Sequence, residues 1–266
     1  MIYIFGSGPS GLFAAWACLK SGIGIDDIRI LSKSRKEPKA LPCHYLHSMC
    51  GLDLQAHNLL EIVSPLYMDI KECAKLYSVK QYGKYYDTNS IDRVGSHNKV
   101  SEIYNLSEAL HILWGKFSER IQYFNVDSIS TIRSYADRDD ADLVISTIPI
   151  NSIDSDREDA ENSYLSVTSV VSYWDTNFTQ NYIVYDCDDD KVIRYGSIFG
   201  TSFVEFNGSV KPTHPNMMVV HKISEAKKKL LDEEKIMFVG RYGAWDKSAR
   251  VDTVYNDVCK RLGVQT

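Results

Sequence analysis

The first eleven residues constrain the fold of this 266-residue chain more than any other segment. An apolar run, Ile2–Phe5, leads into the glycine pattern GxGxxG, and helix-favouring residues follow it. In such a context Gly6 permits a tight turn, Gly8 lets a phosphate approach the backbone, and Gly11 lets a helix pack closely on the strand. The pattern predicts a strand, turn and helix that bind a dinucleotide pyrophosphate, although a purely structural glycine-rich turn has the same spacing. The expected phosphate-binding residues are those of the turn: Gly6, Ser7, Gly8, Pro9, Ser10 and Gly11.

The residue expected to bind a ribose hydroxyl differs from the usual one. An acidic residue commonly stands about 20 positions after the turn. Here the second predicted strand, residues 28–32, ends in Ser32, and Lys33 and Arg35 follow it. A serine hydroxyl could bind the ribose without the charge assistance of a carboxylate. A lysine or arginine at this place could instead bind a 2′-phosphate, so the turn alone leaves the dinucleotide open.

Composition places the chain among ordinary globular proteins. Hydrophobic residues make up 44% and the formal net charge is −5, which argues against a surface that coats DNA but not against a local basic groove. No apolar stretch approaches the roughly 20 residues of a membrane span. The initial apolar run lacks the basic segment and cleavage pattern of a secretory signal, so we expect a cytoplasmic protein without a membrane partner.

The cysteines favour reduced thiols over a disulfide framework. Six of them are scattered without a CxxC pair: Cys18, Cys43, Cys50, Cys73, Cys187 and Cys259. This spacing indicates neither a zinc ribbon nor paired disulfides. A metal site built from His44, His47 and Cys50 is conceivable by ligand type alone. The segment has a better explanation, given below, and no metal site is predicted.

Alternating apolar runs and capping signals predict an open α/β sheet. Further strands are expected at 121–124, 128–133, 142–147 and 236–239, with a β-rich stretch over 167–206 that turns at 186–190. Helices are expected at 9–21, from Asn105 to about 117, at 222–234 and at 250–262. The helix after Asn105 carries Glu108 in the place of a capping-box partner.

The segment 236–245 near the C-terminus resembles the second flavin-binding motif of the UDP-galactopyranose mutase and amine oxidase superfamily of flavoproteins. In that family a strand ends in Gly-Arg, here Gly240 and Arg241, and the next helix points its N-terminus at the flavin. That helix would begin here at Val251 and Asp252. A helix N-terminus suits this place because it stabilises negative charge on reduced flavin. For Arg241 the alternative is a surface salt bridge.

Other segments carry the same resemblance in the same order. Residues 43–48 look like the His-x-Phe-His-Thr segment beside the flavin of the mutases, which makes His44 and His47 the candidates for proton transfer. The run 142–149 is similar to a family strand ending in Thr-x-Pro, which points to Thr147. Val126 matches the place where such proteins hold adenine with backbone groups. Arg194 lies in a run similar to a strand near the substrate pocket.

Each of these side chains also has a structural interpretation. Either histidine could pack and bind a backbone carbonyl, and Arg194 could form a cross-strand ion pair. The helical region with which mutases hold their sugar nucleotide is largely absent, so the mutase substrate is not implied.

The resemblance implies an α/β fold with a Rossmann-like FAD-binding domain around a parallel sheet, plus a small β-rich substrate-side subdomain. The FAD-binding domain would be discontinuous, at 1–60, 101–150 and 222–266. Residues 61–100 and 151–221 would form the substrate side. The expected cofactor is FAD.

Three functions agree with this interpretation. The first is oxidation of an amine or alcohol, or adduct formation at flavin N5, with a histidine handling the proton. The second is non-redox flavin chemistry, as a mutase-like isomerase or as a lyase that hypermodifies a phage DNA base on an aminoacylated pyrimidine. The third is a non-catalytic dinucleotide-binding module. The substrate would be small or tethered, modified nucleic acid in the DNA case, and a second copy of the chain could complete the pocket.

Overall fold

Two β-sheets organise the computed structural model, which describes residues 1–64, 69–82, 98–153, 164–226, 233–246 and 249–265. The first sheet is parallel, in the order β12-β6-β1-β2-β5. Its strands are β1 (Ile2–Phe5), β2 (Ile28–Ser32), β5 (Ile121–Tyr123), β6 (Leu143–Ser146) and β12 (Ile236–Phe238). Strands β1, β6 and β12 are buried along their whole length and almost entirely apolar, because helices cover a parallel sheet on both faces.

The second sheet has the order β11-β7-β10-β9-β8-β3-β4. Its strands are β3 (His57–Ser64), β4 (Asn98–Ile103), β7 (Tyr164–Asp175), β8 (Asn181–Asp186), β9 (Val192–Ile198), β10 (Thr201–Asn207) and β11 (Met217–Ala226). Neighbouring strands are antiparallel except β3 and β8, which run parallel. The hairpin predicted around 186–190 is confirmed, since β8 and β9 pair on either side of it.

Five α-helices are described: α1 (Pro9–Lys20), α2 (Ile70–Tyr82), α3 (Leu106–Phe117), α4 (Ile129–Ala136) and α5 (Val251–Arg261). No helix in the described ranges is both long and apolar enough to cross a membrane. The helix predicted after Asn105 is confirmed. The Asn105 side chain caps it by accepting hydrogen bonds from the backbone N–H groups of Ser107 (2.9 Å) and Glu108 (3.3 Å).

Three apolar clusters hold these elements together. Helices α1, α3 and α5 pack on one face of the parallel sheet, with Phe13 and Leu113 buried against Ile4. Helix α4 and Trp245 cover the opposite face. The third cluster lies between α2 and the inner face of the second sheet, where Tyr77 meets residues of β3, β8 and β10. The six cysteines are free and buried in this structure.

Two predicted elements are wrong. Residues 128–133 were expected to form a strand, but they form the start of helix α4. The Ser128 hydroxyl caps this helix by accepting a hydrogen bond from the Thr131 N–H. Ile132 and Ala136, four residues apart, then lie on its buried side. The helix expected over 222–234 is also wrong in its described part. Strand β11 continues to Ala226, paired with β7, and 227–232 lie outside the described residues.

Candidate functional site

The carboxyl ends of the parallel strands form the edge at which the predicted binding residues collect. Strands β1 and β6 are neighbours at the point where the strand order reverses, and open α/β sheets bind ligands at that point. Gly6 follows β1 and Thr147 follows β6. Both the N–H and the hydroxyl of Thr147 donate to the Phe5 carbonyl at 2.9 Å. Thr147 therefore lies directly beside the glycine turn, as its predicted role requires.

The three glycines of the first turn meet different demands. Gly6 has a φ of +104°, and a β-carbon there would lie 2.4 Å from the Thr147 hydroxyl oxygen. A β-carbon on Gly11 would lie 1.9 Å from the Gly6 carbonyl oxygen. Gly8 differs, because no heavy atom lies within 4 Å of the place a β-carbon would take. Gly6 and Gly11 let the helix pack, whereas the space at Gly8 is open to a ligand.

Helix α1 presents its N-terminus at that open space. Gly8 is the N-cap residue, no side chain caps the helix, and Pro9 occupies the first turn. The uncapped N–H groups and the helix dipole form a binding place for an anion of phosphate size. The predicted pyrophosphate cradle, including Ser10 in the first turn of the helix, therefore fits a dinucleotide by its backbone shape.

A buried hydroxyl network joins the glycine turn to the end of β2. The Ser7 hydroxyl is 2.8 Å from that of Ser32 and 2.9 Å from the Ser34 carbonyl oxygen. The Ser34 N–H donates to the Ser32 hydroxyl at 3.2 Å. Ser32 thus has a structural role besides the ribose contact predicted for it. Lys33 is exposed directly after it, and Val126 is half-buried after β5.

The second predicted flavin turn touches the first. Gly240 has a φ of +80°, and a β-carbon there would lie 2.5 Å from the Ser10 hydroxyl oxygen. Backbone hydrogen bonds from Val239 to the Ser146 carbonyl (2.9 Å) and from Ile150 to the Tyr242 carbonyl (3.0 Å) hold the turn on the end of β6. The turn thereby places Arg241 at the same edge, with its Nε 3.4 Å from the Ala249 carbonyl oxygen.

Helix α5 begins next to the histidine segment, residues 41–54. The first residues of α5 are Val251 and Asp252, and the Asp252 side chain is buried. The Asp252 carboxylate is an electrostatic neighbour of His47 and of Cys50. The Trp16 indole of α1 donates to the Cys50 carbonyl at 2.8 Å and so anchors the segment to the dinucleotide-binding helix.

The two histidines are exposed side chains on either side of Leu46. A pair of 3.0 Å backbone hydrogen bonds between Leu46 and Tyr104 fixes the segment between them. Both imidazoles are accessible at the surface, yet surrounding protein desolvates them and lowers their pKa values. Neither imidazole hydrogen-bonds to a residue in the described part of the chain, so both are available to a ligand.

A buried group of charges lies across the inner face of the second sheet, and we call it the sheet charge cluster: Ser169, Arg194, Glu205 and Lys222. The Glu205 carboxylate is 1% exposed. It accepts hydrogen bonds from Arg194 Nε at 2.7 Å, from the Ser169 hydroxyl at 2.9 Å and from Lys222 Nζ. The two cations hold its pKa far below the usual range, against the effect of burial. The cross-strand ion pair considered for Arg194 is therefore present.

The charges of this cluster and Arg241 are electrostatic neighbours of His44. Burial lowers the pKa of His44 to about 3, with further lowering from Arg194, Arg241 and Lys222 and an opposing effect of Glu205. The pKa of His47 falls to about 4 through burial, Arg250 and Lys99, against Asp252. Both histidines are therefore neutral at pH 7, and their low pKa values also make them weak bases.

The sequence drew attention to Arg194 but not to Glu205 or to Lys222, the second cation that Glu205 binds. Lys222 falls in the helix predicted over 222–234, and Glu205 in the β-rich stretch 167–206. One signal was present in β10, where Phe203 and Glu205 alternate in the period of a strand and so share its inward face. Nothing local in the sequence marks Lys222, because its partner lies on another strand. Within the described ranges, no group of three His, Cys, Asp or Glu residues is arranged to hold a metal ion.

No protein-family model matches the sequence, and no curated protein matches it. Solved structures do match. Reduced UDP-galactopyranose mutase aligns with a TM-score of 0.59 at 11% identity, over 98% of this chain and 94% of the mutase chain. A flavoprotein/dehydrogenase from Cytophaga hutchinsonii aligns with a TM-score of 0.50 at 11% identity, over 100% of this chain and 79% of the other.

A geranylgeranyl bacteriochlorophyll reductase-like protein from Thermoplasma acidophilum aligns with a TM-score of 0.52 at 8% identity, over 98% of this chain and 76% of the other. At such identities the likeness concerns the fold. The parallel five-stranded sheet with its second, mixed sheet is the Rossmann-type α/β architecture of flavoproteins. The predicted fold class is confirmed.

Proposed function

We propose that this chain is an FAD-dependent flavoenzyme. One observation carries the proposal: two glycine turns, predicted separately from opposite ends of the sequence, meet at Ser10 and Gly240. The likeness of the fold to a flavoprotein supports it. A purely structural glycine turn has no need of the open space at Gly8 or of the uncapped helix N-terminus there.

The residues fit FAD along its length. The N-terminus of α1, with the backbone at Gly8, would hold the pyrophosphate, and Ser32 and Lys33 would contact the adenosine end. Backbone groups at Val126 would lie beside the adenine. Thr147, Arg241 and the N-terminus of α5 at Val251 and Asp252 would face the flavin ring. When bound, FAD supplies an acceptor for a hydride or a nucleophilic N5.

The proton chemistry belongs to the histidines. His44 and His47 have pKa values of about 3 and about 4, so their neutral imidazoles can accept a hydrogen bond from a substrate O–H or N–H at pH 7 and would relay its proton to solvent as the substrate is oxidised. Either histidine is a candidate for this step. Arg194 would contact the substrate with its terminal nitrogens, since Glu205 engages its Nε. We therefore favour oxidation of an amine or alcohol.

A non-redox function is the second candidate, and the matched reduced UDP-galactopyranose mutase favours it as an isomerase or lyase. Its nucleic-acid form is favoured by four exposed basic residues that follow the end of β2 at Ser32: Lys33, Arg35, Lys36 and Lys39. None of these four residues forms an ion pair with another described residue. Such a strip suits the backbone of a modified DNA carrying the substrate group.

The absorption spectrum of the purified protein is the first test. A flavin spectrum is expected, together with bleaching by a reducing amine or alcohol under anaerobic conditions. Turnover of modified DNA without net bleaching supports the non-redox candidate instead. Bound FAD that no donor reduces and that promotes no turnover identifies a non-catalytic module. A protein that neither retains nor takes up flavin overturns the proposal.

A pair of glycine variants separates flavin binding from folding. Gly8→Ala places a methyl group where no protein atom lies within 4 Å, so the fold tolerates it while the phosphate approach narrows. We expect FAD affinity to fall about tenfold or more, which is about 1.4 kcal/mol. Gly115→Ala is the matched control, because its β-carbon also meets nothing within 4 Å but lies in α3. Equal flavin affinity in both variants contradicts the assigned cradle.

A further inference from the structure

We propose that the Glu61 carboxylate binds a cationic group of the substrate, an ammonium group that the substrate carries in addition to the group that is oxidised. The inference rests on the proposed function and deepens it, because it names the class of substrate. An ammonium group has no free electron pair while it is protonated, so the group bound by Glu61 is not the group that reacts. The substrate class is therefore a diamine or an amino alcohol.

Glu61 is a buried carboxylate that lacks the partners of its counterpart on the same sheet. It lies between Leu59 and Val63 on β3, and alternate residues of a strand share one face, here the inward one. Its side chain is 9% exposed. Glu205 binds two cations and a serine, whereas Glu61 accepts one hydrogen bond in the described part of the chain, from the Tyr185 hydroxyl to Oε1 at 2.8 Å. The charge of Glu61 is therefore not neutralised by a described residue.

The lysine opposite Glu61 does not supply the missing cation. Lys99 on β4 is its direct cross-strand neighbour, a place where opposite charges can pair. Lys99 is nevertheless exposed, and none of the ion pairs between described residues includes Lys99 or Glu61. A buried carboxylate without a cation is unfavourable. A strand that needed only stability would therefore be served better by an apolar residue at this place.

The second carboxylate oxygen of Glu61 is open to a ligand. In the part of the chain that the structure describes, three fully enclosed side-chain oxygens lack a hydrogen-bond partner, and they belong to Ser101, Ser146 and Ser197. The Oε2 of Glu61 has no partner there either, but it is not enclosed, so solvent reaches it. The Tyr185 hydroxyl fixes one oxygen and leaves the other to accept a charge-assisted hydrogen bond from an ammonium group.

Three tyrosines connect Glu61 with the histidine segment. The ring of Tyr185, which holds the carboxylate, packs edge-on against Tyr77 with 5.3 Å between the ring centroids. Tyr45 of the histidine segment packs against the same apolar cluster, and its ring centroid lies 4.8 Å from that of His47. Burial raises the pKa of Tyr45 to about 12, with a further contribution from the charge of Glu61. Aromatic rings beside a carboxylate favour a cation, because their faces carry partial negative charge.

The test is an NMR titration of the purified protein with two ligands of the same length. One is 4-aminobutan-1-ol, a cation at pH 7, and the other is the neutral 1,4-butanediol. We expect the cation to bind about tenfold more tightly or better, and Glu61→Gln to bind both ligands equally. Glu102→Gln is the matched control, because it removes the same charge from an exposed side chain of β4 on the other face of the sheet. It should keep the wild-type preference.

Two results overturn the proposal. One is equal binding of the two ligands by the wild-type protein, and the other is a preference for the cation that survives in Glu61→Gln. If Glu61→Gln fails to fold, Glu61→Met removes the charge from a side chain of similar length and gives the same comparison. The titration needs no flavin. A protein that lacks flavin but selects the cation through Glu61 disproves the proposed function and leaves the cation site intact, whereas a flavoprotein without the preference does the reverse.

Discussion

A β-carbon on Gly240 would lie 2.5 Å from the hydroxyl oxygen of Ser10, so the last turn of the parallel sheet rests on its first helix without room for a side chain. Ser10 lies in the first turn of α1, and Gly240 follows β12. The contact brings the two ends of the sequence to the two sides of one binding edge. It also makes the cofactor cradle depend on the C-terminal part of the chain.

Gly240→Ala should therefore lower the free energy of unfolding by more than the strain of the backbone alone accounts for. Its φ of +80° strains any L-residue by about 1–2 kcal/mol, and the new methyl group must also displace Ser10. The matched control is Gly263→Ala, which has a φ of +78° but no heavy atom within 4 Å of its β-carbon. Urea unfolding should give a larger loss for Gly240→Ala than for Gly263→Ala, and only the former should release flavin. Equal losses contradict the contact.

The cap of α3 offers a prediction that concerns stability alone. The Asn105 side chain accepts hydrogen bonds from two backbone N–H groups at the start of this helix. Replacing an N-cap residue with alanine lowers the free energy of unfolding by about 1 kcal/mol. Asn105→Ala should lower the free energy of unfolding by this amount, whereas Asn105→Asp should retain most of it. Thermal and urea unfolding measure the effect. Flavin affinity should stay unchanged, since the cap lies on the helix that covers the sheet.

Local signals account for the parts of the fold that the sequence predicts. The turn with Gly6 and Gly11, the strand before Thr147 and the cap at Asn105 each depend on a few neighbouring residues. In segment 128–133 two local signals disagree. Its β-branched residues favour a strand, as predicted. The Ser128 cap and the four-residue spacing of Ile132 and Ala136 decide for a helix.

The sheet charge cluster lies beyond local reasoning. A lysine is normally exposed, and its burial becomes favourable only when a partner from another strand neutralises it. Lys222 on β11 binds Glu205 on β10, with β7 lying between the two strands. Arg194 on β9 binds Glu205 as its direct cross-strand neighbour. The pairing depends on strand order, which a single sequence does not contain. The glycine turns could therefore be predicted, whereas the buried ion pairs of the second sheet could not.

Acid should destabilise the protein through His44 and His47. Their pKa values are about 3 and about 4 in the folded chain, below the ordinary 6.5 expected after unfolding. As the pH falls below 6.5 the unfolded chain binds protons that the folded chain does not, so stability declines. Above that pH neither histidine contributes.

The measurement is urea unfolding between pH 4.5 and 7.5, analysed as proton uptake on unfolding. Each of His44→Gln and His47→Gln should remove about one proton of that uptake near pH 5, and the double variant about two. All four proteins should show the same pH dependence above pH 7. A wild-type slope in the single variants means that the imidazoles titrate normally in the folded state.

Two buried serines of the second sheet should respond in opposite directions to the same substitution. Ser169 and Ser197 are both 0% exposed. The Ser169 hydroxyl donates to the ionised Glu205 at 2.9 Å, whereas the Ser197 hydroxyl has no hydrogen-bond partner among the described residues. A hydrogen bond to a charged group contributes about 1.5–3 kcal/mol, and a buried hydroxyl without a partner is unfavourable.

Ser169→Ala should therefore lower the free energy of unfolding by about 1.5–3 kcal/mol, while Ser197→Ala should leave it unchanged or raise it. Both variants delete the same atom from the same sheet, so the loss of packing volume is matched. Urea unfolding at pH 7 gives the comparison. Equal costs for the two variants at pH 7 mean that Glu205 gains nothing from Ser169, and that its two cations alone hold it in the sheet.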